Sequence, residues 1–335
     1  MDSLTYTNAP QAYFGLYRYV MDHGIDEDSR NGPVLYVPYP VGISYLHPWQ
    51  RVVTDPVRNA NPFFHFMEFL WMMAGRYDVE WISNYNSRMK EYSDDGVWFH
   101  GAYGYRWRFH YIIDQIDTVI HMLEENPLTR RAVISMWDPR EDLNSDSKDL
   151  PCNNLIYFQS RESGNLRQLD MMVVNRSNDL IWGCLGSNVV HFSMLHQFMA
   201  DALRFDLGTY THVTMNLHIY KEVMEKYPEP ERAEDIYRFD AMRPGIGQIV
   251  HHRDTWFRDL ILFMNTEYNK LDQISQNPFF RNVAVPMAHS WAHYKNDELD
   301  MAIKMCGAIK QNDWRIACHD FLSRIQKNRS SKKVV

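Results

Sequence analysis

Leu150-Pro151-Cys152-Asn153, answered further along by Asn175-Arg176-Ser177-Asn178-Asp179, is the pair of segments on which the reading of this 335-residue chain turns. A cysteine with a fixed arginine partner points to a nucleophile. The thiolate is the form that attacks carbon, and a nearby guanidinium both lowers a thiol pKa and binds anionic substrates. Pro-Cys alone says little. Its weight comes from the polar residues ranged around it in order: Arg30, Glu68, Tyr103, Arg130-Arg131, Cys152, Arg176-Ser177, Asp179, Asn188, His218 and Tyr220.

Outward from the cysteine, Ala132–Trp137, Asn154–Gln159 and Leu166–Val174 have the composition of strands, the last two joined by a hairpin turn at Arg161–Asn165. Asn188–Phe205 has helical spacing, with Val189, Phe192, Leu195, Met199 and Leu203 on one face. Upstream, Asn61–Ala74 predicts a buried helix, with Pro62 at its start and Gly75 past its end. Glu68 lies in the middle of that apolar run, where a carboxylate needs a reason. A helix over Ala9–Asp22 and strands over Val34–Val37 and Ile43–Leu46 complete the first part. Beyond Tyr220 the pattern is helical, notably over Thr255–Asn269 and Asp297–Ile309. These elements predict an α+β chain: one catalytic domain over residues 1–225 and a helical extension over 226–335 packed on it.

Composition narrows the function classes. No apolar run approaches the roughly 20 residues needed to span a bilayer. The start Met1-Asp2-Ser3-Leu4-Thr5 lacks the basic and apolar regions of a secretory signal, so the expected location is the cytoplasm. Cys152, Cys184, Cys306 and Cys318 show no close metal-ligand spacing and are too sparse for a disulfide framework, which predicts free thiols and no metal. A net charge of −7 argues against a general affinity for nucleic acid, so phosphate-binding groups must be local. The basic run Lys327–Lys333 reads as a solvated tail.

Six segments resemble, in order, those of thymidylate synthase and its relatives the pyrimidine nucleotide hydroxymethylases. They are Asp28-Ser29-Arg30-Asn31-Gly32, Met67-Glu68-Phe69-Leu70-Trp71, Ala102-Tyr103-Gly104-Tyr105-Arg106-Trp107-Arg108, Thr129-Arg130-Arg131, the cysteine segment, and Asn216-Leu217-His218-Ile219-Tyr220. The resemblance implies a thymidylate-synthase-like fold, a mixed sheet packed with helices. It also implies that Cys152 adds to C6 of a pyrimidine nucleoside monophosphate, so that C5 can attack the one-carbon unit of 5,10-methylenetetrahydrofolate. Glu68 would then act through ordered water as general acid and base, and Tyr103 would assist proton transfer near C5. Arg30 and Arg176 of one subunit with Arg130 and Arg131 of the other would clamp the phosphate, joined by the Ser177 hydroxyl, in a homodimer with shared active sites. His218 and Tyr220 match the positions that hold the ribose 3′-hydroxyl, and Asp179 the one that holds the folate pterin. Asn188 matches the reader of the pyrimidine edge, its amide complementary to uracil. Placing the extra residue of the Gly183–Asn188 loop elsewhere would put Ser187 there instead.

Three departures bear on the reaction. Asn153 follows the cysteine where the synthases usually have histidine. Ser87–Tyr92 stands where they place tryptophans against the folate, Trp81 and Trp98 being out of register. Val334-Val335 ends a helical extension rather than the usual closing tail. The pyrimidine-bound methylene can take hydride, giving a methyl group, or water, giving a hydroxymethyl group, and excluding water favours the first. With the folate-side tryptophans missing, the sequence favours water: hydroxymethylation of dUMP, with dCMP next. Reductive methylation of dUMP to dTMP, a synthase reaction, is the alternative within the family. Outside it stand an inactive nucleotide- or RNA-binding homologue and a cysteine hydrolase, for which no local histidine signature is visible.

Overall fold

A computed structural model describes residues 1–164, 166–231, 235–238, 247–273 and 277–332, so Val334-Val335 and Asn165 lie outside the described residues. The organising element is a long antiparallel hairpin, β6 (Asn153–Ser163) and β7 (Leu166–Asn175), in register from Asn153 opposite Asn175 to Ser163 opposite Leu166. β6 runs through Arg161–Ser163, residues that composition assigned to the turn. Cross-strand charge pairs support the longer ladder: Arg161 Nε lies 2.6 Å from Asp170 Oδ2, and Arg167 Nη2 lies 3.3 Å from Glu162 Oε1. The reversal falls at Gly164, whose φ of +63° suits glycine.

Two mixed sheets are built around this hairpin. The larger has the order β1-β4-β9-β7-β6-β5, with β1 Asp2–Tyr6, β4 Val41–Tyr45, β5 Val133–Ser135 and β9 Asp206–Thr214. The smaller is β2-β3-β10-β8, with β2 Ile25–Ser29, β3 Gly32–Val37, β8 Asn178–Asp179 and β10 Leu217–Tyr220. The chain passes from the large sheet to the small one twice, β7 into β8 and β9 into β10. The two crossings run side by side: Met215 N donates to Asn175 O (3.0 Å) and Asn178 N to Asn216 O (2.9 Å). Arg176, Ser177, Asn216 and His218 are thereby gathered at one corner.

Two helices cover the large sheet's core. Pro62–Met73 starts at Asn61, whose Oδ1 accepts from Phe64 N (3.1 Å), and stops before Gly75, with φ +66°. Every residue of it is buried except Glu68, which is half-buried. Asn188–Leu203 is buried nearly all round, not on one face only, because it lies between the first helix, the large sheet and the C-terminal helices. Arg253–Asn265, Val285–Lys295 and Asn312–Lys332 pack aromatic anchors against that pair, and Leu299–Cys306 packs between the last two. Trp256 meets Phe198 edge-on (4.7 Å between centroids), Trp314 meets Phe66 (5.1 Å), and Trp291 meets Phe63 (5.3 Å). Among the described residues no helix is long and apolar enough to cross a membrane.

The segment before the cysteine is pinned by a fully buried ion pair. Arg106 Nη1 and Nη2 donate to Asp142 Oδ2 (2.7 Å) and Oδ1 (2.8 Å), and Nη1 also donates to Met136 O (2.7 Å). Burial pushes the Asp142 carboxyl up, but hydrogen bonds from Arg106 and the Asp138 amide hold it below the ordinary carboxylate value. This contribution is complete above the unfolded aspartate pKa of about 3.9 and is lost as pH falls through the lower folded value. Asp142→Ala strands the Arg106 charge and should cost about 3–5 kcal/mol at neutral pH in urea unfolding, with the difference from the parent narrowing under acid. A loss below about 1 kcal/mol would show that water reaches Arg106.

Candidate active site

Cys152 sits at the head of the hairpin and lines the first of two cavities. That cavity, of about 500 Å³, is lined by Glu68, Tyr103, Cys152, Ser187, Asn188 and His191 among others. The second, of about 520 Å³ and open to solvent, is lined by Arg30, Tyr36, Arg176, Ser177, His218 and Tyr220. The corner where the two sheets meet thus holds Arg30, Arg176 and Ser177 of the expected phosphate residues together with the expected ribose residues, and the helix side holds the expected base-reading and catalytic ones.

Arg176 holds the cysteine loop in place. Its backbone N donates to Cys152 O (2.9 Å), Nε to Pro151 O (3.0 Å) and Nη2 to Leu150 O (3.1 Å), and its guanidinium carbon lies 5.6 Å from the Trp137 ring centroid. Sequence reasoning predicted a thiol lowered by arginine, and the structure reverses this. Burial pushes the Cys152 thiol up, Arg176 and Arg30 pull it down less strongly, and Asp149 and Asp179 add to the rise. The arginine is close enough, but desolvation wins. Cys184, Cys306 and Cys318 are free and buried away from both cavities.

Tyr103 stands against the cysteine from the other side, its hydroxyl accepting from Asn153 N (3.3 Å). Burial raises its pKa strongly, so the hydroxyl keeps its proton to donate. The next residue must be glycine: a Cβ on Gly104 would lie 1.8 Å from Met72 O, so only glycine lets this segment close on the Pro62–Met73 helix. From that helix Glu68 reaches into the cavity, where Oε2 accepts from Ser187 Oγ (3.2 Å) and lies 3.1 Å from His191 Nε2, without the alignment of a hydrogen bond. Ser187 and Asn188, the two alternatives for reading the base, both line the cavity, with Ser187 committed to Glu68 and Asn188 to Asn178 Oδ1 (3.0 Å).

Three expected residues stand apart. Asp179 lies behind the cavity wall, its Oδ1 accepting from Trp182 N (2.5 Å) while its Oδ2 has no partner, and burial pushes its pKa up to about 6. Arg130 and Arg131 are exposed on the turn after helix Gln115–Glu125 and line neither cavity. Trp81 and Trp98 are likewise absent from the lining, Trp81 packing on Tyr85 and Trp98 on Tyr77.

Sequence reasoning missed part of the wall. Arg88, Met89 and Tyr92, from the stretch lacking tryptophans, do line the cavity, as do Trp182 and Tyr227. Trp182 carries the Arg58 and Arg88 guanidinium carbons 5.4 and 5.9 Å from its ring centroid, and Tyr227 meets it edge-on at 5.2 Å. His191 could have been found, because it lies one helical turn beyond Asn188. Tyr227 carries no local signal; it arrives from the far side of Tyr220 through the fold alone.

The chain belongs to the thymidylate synthase family, whose domain profile matches residues 11–235. Among its relatives, the deoxyuridylate hydroxymethyltransferase of Pseudomonas phage M6 is 41% identical over 315 residues, covering 90% of this chain and 88% of that protein. The protein of the same name from Bacillus phage SP01 is 41% identical over 221 residues, 63% of this chain and 56% of its own length. That of Delftia phage PhiW-14 is 30% identical over 222 residues, 63% and 60%. The crystal structure of thymidylate synthase from T4 phage superposes with a TM-score of 0.53 at 22% identity, over 66% of this chain and 82% of that one, a likeness of fold.

Because desolvation dominates the Cys152 thiol, its alkylation by iodoacetamide in the ligand-free protein should titrate with a midpoint above the roughly 8.5 of a free cysteine. Arg176→Met should move the midpoint further up. Peptide mass mapping across a pH series reads both, and a midpoint below that of free cysteine would mean that the guanidinium outweighs burial.

Proposed function

We propose that this protein is a homodimeric deoxyuridylate hydroxymethyltransferase, converting dUMP, 5,10-methylenetetrahydrofolate and water to 5-hydroxymethyl-dUMP and tetrahydrofolate. The observation that carries the proposal is the 41% identity to the phage M6 relative of that name, maintained across 90% of the chain. The cavities supply the chemistry it needs. In this reading the nucleotide phosphate lies in the corner cleft against Arg30, Arg176 and Ser177, joined by Arg130 and Arg131 from a second copy of this chain. Their exposure on a turn outside both cavities suits residues that act across an interface. His218 and Tyr220, in the same cleft, take the ribose hydroxyl, and Asn188 takes the uracil edge.

Cys152 sulfur bonds to C6, and the electron pair displaced onto C5 forms the bond to the incoming one-carbon unit. The folate supplies that unit at the oxidation level of formaldehyde and leaves as tetrahydrofolate. The C5 proton departs with help from Tyr103, and water adds to the carbon, supplying the hydroxyl group. Reversal of the sulfur–C6 bond then frees the cysteine. Glu68, with Ser187 and His191 around it, handles protons on that water. Trp182 on the cavity lining, with the Arg88 guanidinium beside its ring, suits a flat heterocycle bearing carboxylates, such as folate, with no metal required; the pterin role that the family resemblance gives Asp179 would need the wall in front of it to open. Residues 1–225 constitute the catalytic unit and 226–335 its buttress. Four free thiols fit the reducing cytoplasm.

Mass spectrometry of the products formed from methylenetetrahydrofolate and an equimolar mixture of dUMP, dCMP, UMP and CMP tests base, sugar and branch together. Hydroxymethyl-dUMP with tetrahydrofolate is the expected outcome, and thymidylate with dihydrofolate would replace the reaction by the synthase one. Cys152→Ala should lower turnover by more than about 10⁴-fold while leaving dUMP binding largely intact, and Glu68→Gln should lower it about 10²–10⁴-fold.

A further inference from the structure

Behind Asn188, on the side away from the cavity, a chain of buried polar side chains runs into the sheet. Asn188 Nδ2 donates to Asn178 Oδ1 (3.0 Å), Asn178 Nδ2 approaches His212 Nε2 (3.2 Å), and His212 Nδ1 lies 2.9 Å from the Tyr210 hydroxyl. All four are buried: Asn188 is 8% exposed, Asn178 2%, His212 and Tyr210 0%. The neighbouring loop leaves room for them, since a Cβ at Gly183 would lie 2.7 Å from Asn178 Oδ1 and 3.2 Å from Asn188 Nδ2.

The direction of this chain has a chemical consequence. Burial pushes His212 down to about 3, so the imidazole is neutral and has a single N–H. With Nε2 accepting from Asn178, the proton sits on Nδ1 and points at Tyr210. Turning the Asn188 amide over would bring its carbonyl against Asn178 Oδ1. That can be relieved only by reversing Asn178, the His212 tautomer and the Tyr210 hydroxyl together.

Uracil and cytosine are opposites along the edge that an amide reads. Uracil offers a donor at N3 and an acceptor at O4; cytosine offers an acceptor at N3 and a donor at N4. An amide free to turn over matches either base, whereas one held in a single orientation matches one. We propose that Asn178, His212 and Tyr210 are positioning residues that hold the Asn188 amide in one orientation and thereby make the site selective for uracil over cytosine nucleotides. The identity of the preferred base rests on the function proposed above. None of the three lines either cavity, so they act on the base only through Asn188.

Calorimetric dissociation constants for dUMP and dCMP, measured without folate on the parent and on variants, separate this role from simple packing. Asn178→Ala frees the amide and should shrink the preference for dUMP at least about tenfold, chiefly by tighter dCMP binding, tenfold being the worth of one buried hydrogen bond. Asn178→Asp, a harsher change for a buried site, still accepts from Asn188 and cannot donate to it, so it should keep the preference. A packing role predicts the opposite order, or affinities for both nucleotides falling in parallel with their ratio unchanged, and either result overturns the proposal. If circular dichroism shows Asn178→Ala unfolded, His212→Phe carries the same expectation, because Asn178 then loses the acceptor that orients it. A parent protein that binds both nucleotides alike, or binds neither, would overturn the proposed reaction as well, and that fault shows before any substitution is made.

Discussion

The site depends on how the β6–β7 pair ends. Asn153 is fully buried at that end, and its Nδ2 reaches Asn175 Oδ1 (3.0 Å), Val174 O (3.0 Å) and Leu155 O (3.4 Å) across an irregularity in the register between Asn153 and Leu155. Pairing continues past this irregularity, through Asn153 opposite Asn175 and Arg176 N to Cys152 O, and Cys152 just beyond it lines the cavity. Arg176 then ties the carbonyls of Leu150, Pro151 and Cys152 from the opposite strand. The substitution of asparagine for the usual histidine therefore bears on the sheet: the side chain is spent on backbone carbonyls and lines neither cavity.

The second constraint is the cost of keeping a carboxylate in an otherwise apolar helix. Glu68 faces the cavity while Phe63, Phe66 and their neighbours on Pro62–Met73 are buried. The C-terminal helices supply the cover, with Trp291 and Trp314 against those phenylalanines. Polar contacts also tie the later chain on: Tyr237 donates to Asp313 Oδ2 (3.1 Å) and accepts from Val52 N (3.2 Å), while Gln197 Nε2 donates to Gly247 O (2.7 Å). Apolar cover on one side and a wet cavity on the other leave the helix little freedom to rotate. The residues beyond Tyr220 thus bear on where Glu68 points, although none of them resembles a catalytic motif.

Much of this was legible in the chain. The hairpin and the Pro62-capped helix announced themselves through local chemistry, and the corner cleft collects Arg30, Arg176, Ser177, His218 and Tyr220, which the family resemblance had grouped. What was not legible is what depends on long-range pairing. β1 joins β4, which lies some forty positions away in the chain, as a parallel edge strand, and its short polar run Asp2–Tyr6 carries no sign of that. β9 alternates in burial, but its partner β7 is parallel and reached through a whole helix. The thiol was misjudged for a related reason: sequence shows that an arginine is near a cysteine, whereas desolvation depends on everything packed around both.

The choice between hydride and water turns on the lining of the cavity that holds Cys152. Hydride transfer needs a flat donor pressed against the methylene and water kept out. Here the stretch that lacks the tryptophans lines the cavity with Arg88, Met89 and Tyr92, a cation, a flexible thioether and a single ring, while the large aromatic surface of Trp182 belongs to the segment before Asn188. Trp182 has two guanidinium groups close to it: Arg58, buried and donating to Ile181 O (2.8 Å), and Arg88, on the cavity lining. Glu68, Ser187 and His191 form a polar cluster on the cavity wall. In the proposed reaction this cluster would hold the water that takes the place of hydride at the methylene carbon, within a cavity that Phe64, Trp71 and Phe99 also line.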